Sequence, residues 1–203
     1  MSIDPETIAV YDARARDYAE RFDAINPGRH LRAFLERLPE NARVLDLGCG
    51  PGNAAAAMAR TGHAAEAWDP STEMIGLARL HQGVSARQAS FDDLDAEAEY
   101  HGIWANFSLL HAPREKMDSH LAAIARALRP GGIFHIGMKT GDGAARDGIG
   151  RRYTFYSEQD LQARLARAGF SVTTRDAGAD KGLAGTVDPW VVLLAHKDAR
   201  GNG

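Results

Sequence analysis

The stretch VLDLGCGPG, residues 44–52, concentrates residue types that bind a charged ligand: three glycines preceded by an aspartate. Gly48, Gly50 and Gly52 let the backbone approach a ligand with no side chain between, and they accept a positive φ. The helix that follows turns its positive N-terminus toward a carboxylate or a phosphate. A glycine-rich turn also joins strand to helix in proteins that bind nothing there, so the loop alone is weak evidence for a ligand.

Asp69 supplies a second carboxylate, at the predicted end of the next strand. This is the position expected of an acid that accepts hydrogen bonds from both ribose hydroxyls of an adenosine. An aspartate at a strand end is otherwise often a helix N-cap, a role that Ser71 can fill here. The loop and Asp69 together predict a nucleoside ligand, and they leave open a nicotinamide dinucleotide and S-adenosylmethionine.

The glycine spacing and Asp46 distinguish these two cofactors. The dinucleotide pattern G-x-G-x-x-G fails, because its sixth position is Asn53 and Gly52 comes one residue early. A carboxylate at Asp46 would repel a pyrophosphate, whereas it attracts the ammonium and sulfonium groups of S-adenosylmethionine. The charge at the entrance of the loop therefore favours S-adenosylmethionine.

Strands and helices alternate along the chain, which provides the scaffold for these residues. The pattern predicts a doubly wound α/β fold with a mainly parallel sheet and helices on both faces. A helix is predicted over 5–24, and a second over 29–38. The last two strands, FSVTTRD and WVVLLAHK, are joined by a short segment without helical periodicity, so we expect them to pair antiparallel.

Composition excludes several classes of function. The 203 residues carry a net charge of −3 without a basic run, which argues against a nucleic-acid or anionic-membrane partner. The single cysteine, Cys49, permits no intrachain disulfide and no cysteine-based zinc cluster, and no metal site is predicted. No signal peptide or membrane-spanning stretch is visible. We predict a cytoplasmic protein with one domain over 1–203 and no obligate protein partner.

Several ordered motifs, which together span nearly all of the chain, resemble the class I S-adenosylmethionine-dependent methyltransferases. They are VLDLGCGPG, WDPSTEMI, WANFSLLH, ALRPGGIFHIGMK and YTFYSEQDLQARLARAGF. The resemblance implies a seven-stranded sheet of order 3-2-1-4-5-7-6 with the seventh strand antiparallel. It also implies S-adenosylmethionine as cofactor and S-adenosylhomocysteine as product. The stretches LLHAPRE and WVVLLAHK are most similar to bacterial small-molecule members, including relatives of the tellurite-resistance methyltransferases.

The resemblance also implies where the cofactor lies. Many members hold the adenine amino group with an acid after the third strand; Ser90 stands at that place, so the candidates are Ser90, Phe91 and Asp92. Tyr18, on an N-terminal helical lid over 1–38, is expected at the methionine end of the cofactor. The remaining candidate contacts are Asp46, Gly48, Cys49, Gly50, Gly52, Asp69, Pro70, Met74, Asn106 and Phe107. The D/N-P-P-Y/F motif is absent after Asn106, which argues against methylation of DNA adenine or of glutamine.

Candidate acceptor residues lie in three places. His111 ends SLLH near the carboxyl end of the fourth strand, as a general base or as a structural histidine bonded to backbone. Tyr11 shares the N-terminal helix with Tyr18, in a packing role or as part of the lid. The segment 140–156 is predicted to be mobile and to form an acceptor wall with Arg151, Arg152, Tyr153 and Tyr156, whose arginines suit an anionic group. Trp190 is a further candidate to close this pocket.

The sequence predicts a methyltransferase that acts by in-line transfer on a small-molecule acceptor. Two alternatives stay open, a nicotinamide-dependent oxidoreductase and a non-catalytic nucleoside-binding module. The acceptor and its attacked atom are not specified by these patterns.

Overall fold

A computed structural model of the chain describes residues 4–22 and 28–198, with side chains for all of these except residues 21 and 22. The strands are β1 Arg43–Leu47, β2 Ala64–Asp69, β3 Val84–Gln88, β4 Tyr100–Asn106, β5 Leu128–Lys139, β6 Ala144–Arg146, β7 Arg152–Thr154, β8 Phe170–Lys181 and β9 Val187–Lys197. The helices are α1 Pro5–Ala13, α2 Ala15–Phe22, α3 Arg29–Leu35, α4 Asn53–Arg60, α5 Thr72–Ala78, α6 Met117–Ala127 and α7 Glu158–Arg167. No helix within the described ranges is both long and apolar enough to cross a membrane.

Seven strands form one sheet in the order β3-β2-β1-β4-β5-β9-β8. Because β6 and β7 pair only with each other, β8 and β9 are the sixth and seventh strands of this sheet along the chain. Strands β1 to β5 pair in parallel, and β9 runs antiparallel to both of its neighbours. The predicted order 3-2-1-4-5-7-6 and the antiparallel last strand are confirmed.

The two faces of the sheet are covered by separate apolar clusters. On β1, Val44 packs in one cluster with Phe34 and Met58, whereas Leu45 belongs to the other with Leu121. This alternation follows from the period of two in a strand, which sends neighbouring side chains to opposite faces. The carboxyl ends of β1, β2 and β4 therefore share one edge of the sheet, held from both sides by packed helices.

The N-terminal helix predicted over 5–24 is two helices in the structure, separated at Arg14, and its residues 23 and 24 lie outside the described part. Arg14 leaves the helical region with φ −119° and ψ 15°, and its N–H donates to the Tyr11 carbonyl. Asp12, near the end of α1, accepts a hydrogen bond from Ser71 Oγ at 2.5 Å. The break lets α1 stay fixed against α5 while α2 takes its own direction.

Two hairpins extend beyond the helices on the same side of the molecule. Within the segment 140–156, β6 and β7 form an antiparallel pair. Farther along the chain, β8 and β9 stay paired from Gly178–Trp190 out to Lys181–Val187, whereas the ladder between β5 and β9 ends at Lys139–Trp190. Residues 178–190 therefore reach past the end of β5, and we call this segment the arm.

We expect the glycine loop to tolerate no side chain at Gly48, because two costs add there. Its φ is 78°, and a Cβ would lie 2.3 Å from Ser108 Cβ. Left-handed backbone costs about 1–2 kcal/mol for an L-residue, and overpacking adds about 1–3 kcal/mol. Gly48→Ala should lower the free energy of unfolding in urea by about 3 kcal/mol.

Gly62→Ala is the matched control. Gly62 has φ 91°, but a Cβ there meets no atom within 4 Å. Gly62→Ala should therefore lower the free energy of unfolding only by the cost of the left-handed backbone, about 1 kcal/mol. Equal losses for the two variants would contradict the close packing of Ser108 on the loop.

Candidate functional site

A cavity of about 480 Å³ opens at the carboxyl ends of β1, β2, β4 and β5. Its walls include the glycine loop, residues of α1 and α2, and the arm. This volume lies within the range of small-molecule sites, and the position is the one at which doubly wound sheets bind ligands.

The glycine loop turns back sharply onto the end of β2. The N–H groups of Gly48 and Cys49 both donate to the Trp68 carbonyl, at 2.8 and 2.9 Å. Gly48, Cys49 and Gly50 line the cavity. Gly52 does not; a Cβ there would lie 2.8 Å from Ala78 Cβ, so this glycine permits the close approach of α5.

Asp69 holds the loop in place and faces the cavity. Its carboxylate accepts hydrogen bonds from Gly50 N and Ser71 N, both at 2.9 Å. Burial raises the pKa of Asp69 to about 6, and the two backbone hydrogen bonds oppose that shift.

Asp46 is the more deeply buried of the two acids, with 3% of its surface exposed. It accepts a hydrogen bond from Ala55 N, in the first turn of α4, at 3.2 Å. Burial raises its pKa to about 7, and the negative charge of Asp69 adds to the shift. Within residues 4–22 and 28–198, neither acid forms an ion pair.

Four further predicted cofactor residues surround this end of the cavity: Tyr18, Pro70, Met74 and Phe91. Tyr18 and Met74 flank the loop, since a Cβ on Gly50 would lie 3.7 Å from Tyr18 Cε1 and 4.0 Å from Met74 Sδ. Ser90 and Asp92 are not part of the wall. Ser90 Oγ instead donates to Asp93 Oδ2 at 2.8 Å and closes a local turn.

The far half of the cavity contains a linked tyrosine, histidine and arginine. Tyr11 Oη and His111 Nε2 are 2.9 Å apart, and Arg151 Nη1 donates to Tyr11 Oη at 3.1 Å. The other ring nitrogen of His111, Nδ1, lies 2.7 Å from the Arg152 carbonyl. Burial lowers the pKa of His111 to about 4, and the charges of Arg151 and Lys139 lower it further.

The arginines and tyrosines of the segment 140–156 are not gathered into one wall. Arg151 and Tyr153 line the cavity, whereas the side chain of Arg152 is exposed and Tyr156 is buried outside the cavity wall. Alternation along β7 explains this difference between Arg152 and Tyr153. Tyr156 instead packs beneath the Arg114 guanidinium, whose Cζ lies 4.3 Å from the ring centre.

The guanidinium of Arg151 is already neutralised. Its Nε and Nη2 bond to Asp147 Oδ2 at 2.9 and 2.7 Å, and both side chains are nearly buried. Asp147 also accepts from the N–H groups of Ile149 and Arg151, so the turn between β6 and β7 is built around this carboxylate.

Several residues of the far half were not singled out from the sequence. Asn106, Phe107 and Trp190 line the cavity as candidates, but Lys139, Asp188 and His30 join them without having been named. Lys139 ends a parallel strand, and Asp188 begins the antiparallel one beside it. The predicted topology therefore contained the signal for both, since these two ends meet at one edge.

Comparison with known proteins agrees with this geometry. Residues 44–132 match the family described as "Methyltransferase domain". The chain is 37% identical over 122 residues to the ubiquinone biosynthesis O-methyltransferase of Xanthomonas axonopodis pv. citri, covering 56% of this chain and 49% of that protein. It spans about half the length of the curated relatives that it matches.

Solved structures extend the likeness over nearly the whole chain. Burkholderia thailandensis 1,6-didemethyltoxoflavin-N1-methyltransferase, with bound 1,6-didemethyltoxoflavin and S-adenosylhomocysteine, superposes with a TM-score of 0.69 at 26% identity, over 98% of this chain and 92% of that one. Together these matches support a class I S-adenosylmethionine-dependent methyltransferase. A Methanosarcina mazei S-adenosylmethionine-dependent methyltransferase shares the fold alone, with a TM-score of 0.74 at 18% identity over 87% and 100% of the two chains.

The matches to methyltransferases, one of them with bound S-adenosylhomocysteine, support S-adenosylmethionine as the cofactor, and the residues present fit it. Asp46 is buried and Asp69 half-buried, and both have raised pKa values and no ion pair in the described chain, which suits a ligand that carries positive charge. Gly50, where a Cβ would meet no atom closer than 3.7 Å, leaves room for a ligand against the backbone. The likeness to tellurite-resistance methyltransferases stays a prediction.

Proposed function

We propose that this protein transfers the methyl group of S-adenosylmethionine to a small-molecule acceptor held in the far half of the same cavity. The observation that carries the proposal is the continuity of this space. Asp46, Asp69, Tyr11 and His111 all line one cavity. Tyr18, which flanks the glycine loop, joins the two groups, since its ring centre lies 5.9 Å from that of Tyr11. The match to a methyltransferase family argues against hydride transfer with a nicotinamide, and nucleoside binding without catalysis leaves Tyr11 and His111 without a role.

At the cofactor end, each proposed role follows from a contact. Asp69, fixed by two backbone N–H groups, has lone pairs left for the ribose hydroxyls. Asp46 supplies negative charge for the cationic part of the ligand, and the backbone at Gly48 and Gly50 lies against it. Other proposed contacts are Tyr18, Cys49, Pro70, Met74, Phe91, Asn106 and Phe107, all of which line the cavity.

When bound, S-adenosylmethionine supplies a methyl group already activated by the positive sulfonium. The chain must then exclude water and position the acceptor. We assign water exclusion to α1 and α2, two of the three described helices within the lid predicted over 1–38. Thr7 Oγ1 accepts from Arg152 N at 2.8 Å, which joins α1 to the hairpin on the opposite side of the cavity.

An acceptor whose attacking atom bears a proton must lose it, and Tyr11 with His111 can take it. A carbonyl only accepts, so the Arg152 carbonyl fixes the proton of His111 on Nδ1. Nε2 then accepts a hydrogen bond from the Tyr11 hydroxyl, and the Tyr11 oxygen in turn accepts a hydrogen bond from Arg151. Tyr11 can pass its proton to His111 as its oxygen takes the proton of the acceptor.

The small size of the acceptor is supported by the cavity volume and by two relatives. The Xanthomonas protein is named for ubiquinone biosynthesis, and the Burkholderia structure holds 1,6-didemethyltoxoflavin. The described residues share one main sheet, which supports a single domain over 1–203. A cytoplasmic location and the lack of nucleic-acid, membrane or obligate protein partners stay predictions from composition.

We expect calorimetry to show binding of S-adenosylmethionine and S-adenosylhomocysteine but not of NADH. The affinity for S-adenosylmethionine should be about twentyfold weaker at pH 6 than at pH 8, about tenfold from protonation of Asp46 and about twofold from that of Asp69. A carboxyl with a pKa of about 7 is about one-tenth ionised at pH 6, so a proton competes with the cationic ligand. Binding of NADH without binding of S-adenosylmethionine would overturn the proposal.

Asp46→Asn is the control for this dependence on pH. The variant should bind S-adenosylmethionine more weakly at pH 8 and lose most of the difference between the two pH values. Asp69, with a pKa of about 6, should leave a residual change of about twofold. A tenfold change that persists in Asp46→Asn would assign the titration to another group.

We expect Tyr11→Phe and His111→Ala each to lower turnover by about a hundredfold, the scale of general base catalysis. The turnover of the double variant should be no lower than that of either single variant, because the two side chains act as a unit. The turnover of His111→Ala should recover in part at high pH, where the acceptor loses its proton without a base from the protein. Turnover is measured as transfer of labelled methyl to an acceptor found by screening acceptor pools.

Tyr100→Phe serves as the matched control. Tyr100 is also buried, but its hydroxyl donates to Glu66 Oε2 at 3.0 Å and it does not line the cavity. Removing that hydroxyl should leave turnover unchanged. Full activity of His111→Ala at neutral pH would assign His111 a purely structural role.

A further inference from the structure

The far half of the cavity contains charged side chains whose charges are balanced within the chain. Lys139 Nζ lies 2.7 Å from Asp188 Oδ2, and Arg151 pairs with Asp147 at the same distance. His30 Nε2 lies 2.6 Å from Asp176 Oδ2. An anionic acceptor would have to displace a carboxylate from its partner, and the cost is greatest at the nearly buried pair of Arg151 and Asp147. The pairing therefore favours an acceptor without net charge.

Trp190 presents a fixed aromatic surface to this half of the cavity. It pairs across the strands with Gly178, where a Cβ would lie 2.6 Å from indole Cζ2, so the ring lies against bare backbone. Its Nε1 donates to Asp180 Oδ2 at 2.7 Å. With one face against the strand and the nitrogen bonded, the indole has little freedom to turn.

Phe107 forms a second aromatic wall. Its backbone is left-handed, with φ 55°, a conformation that costs a bulky residue free energy and is found mainly where the surroundings impose it. Its N–H donates to the Gly137 carbonyl at 2.9 Å. The ring centres of Phe107 and Trp190 lie 6.4 Å apart at 88°. In such an edge-to-face pair one ring contributes its edge, so the flat faces of that ring stay clear of its partner and available to a third ring.

We propose that the acceptor is an uncharged, flat aromatic or heteroaromatic molecule that stacks on Trp190, and that the arm determines acceptor specificity. Lys139 and Asp188 supply a donor and an acceptor for polar groups at the edge of that ring. This proposal rests on the proposed function, because it concerns the acceptor half of the same cavity.

The test uses probe compounds on protein saturated with S-adenosylhomocysteine. Catechol, 8-hydroxyquinoline and lumazine are titrated by calorimetry, with trans-1,2-cyclohexanediol as the saturated counterpart of catechol. At least one aromatic probe should bind and quench tryptophan fluorescence, and the diol should bind at least tenfold more weakly than catechol. No binding by any aromatic probe, or equal binding of catechol and the diol, would overturn the proposal.

Variants of the arm locate the binding surface. Trp190→Leu removes the ring, and Gly178→Ala forces the ring from its position. Each variant should lower the affinity for the probe at least tenfold. Trp190→Phe should retain part of the affinity. Val187→Ser is the control, since Val187 is 67% exposed and is not part of the cavity wall. This variant should leave the affinity for the probe unchanged. Undiminished binding in both Trp190→Leu and Gly178→Ala would overturn the role of the arm.

Affinity for S-adenosylhomocysteine distinguishes this proposal from the proposed function. All four arm variants should bind it as tightly as the original chain, which also shows that they fold. If it binds and the aromatic probes do not, the acceptor proposal fails and the proposed function stands. If it does not bind to the original chain, both fail.

Discussion

Two carboxyl groups held out of water at the ends of adjacent strands are the constraint on which the rest of the site depends. Burial of Asp46 and Asp69 disfavours their charged forms, which is why their pKa values rise to about 7 and about 6. Hydrogen bonds from backbone N–H groups of the loop and of the first turn of α4 offset only part of this cost of burial. A ligand that brings positive charge and hydroxyl donors satisfies what the chain leaves incomplete. We propose that Gly48, Gly50 and the lid also serve that ligand, whereas Gly52 serves the packing of α5 on the loop.

The acceptor end is assembled from parts that are remote in sequence. Tyr11 comes from α1, His111 from the turn after β4, and Arg151 from the hairpin of β6 and β7, yet they form one hydrogen-bonded chain. The proposed cover of the cavity and the groups proposed to handle the proton therefore share α1. Displacing α1 would open the site to water and remove Tyr11 from His111 together, so we infer that chemistry requires the closed arrangement.

Sequence patterns predicted the mainly parallel sheet, the glycine loop and both acids, because these depend on local periodicity and on the edge at which parallel strands end. The strand order came from the resemblance to the methyltransferases. They did not predict the break at Arg14 or the exposure of the Arg152 side chain. The break depends on a tertiary contact, Asp12 with Ser71, that no local pattern contains. The exposure depends on which face a three-residue strand turns to the cavity. Such a strand is too short to show a period of two.

The interpretation of the arginines shows the same limit in electrostatics. Arg151 and Arg152 suggested an anionic acceptor, but the sequence could not show that Asp147 takes two of the three donor nitrogens of Arg151. A charge counts toward recognition only when its partner is the ligand. The aromatic character of the far half escaped prediction for a related reason, since Phe107 and Trp190 come together only after β9 returns antiparallel beside β5.

A crystal structure of the protein with S-adenosylhomocysteine tests the central claim most directly. The account predicts that the ribose hydroxyls lie within hydrogen-bonding distance of Asp69, with the amino group on the side of the loop that faces Asp46. The sulfur should point toward the half that contains Tyr11 and His111. A nucleoside bound against Trp190, or one whose ribose makes no contact with Asp69, would contradict the account.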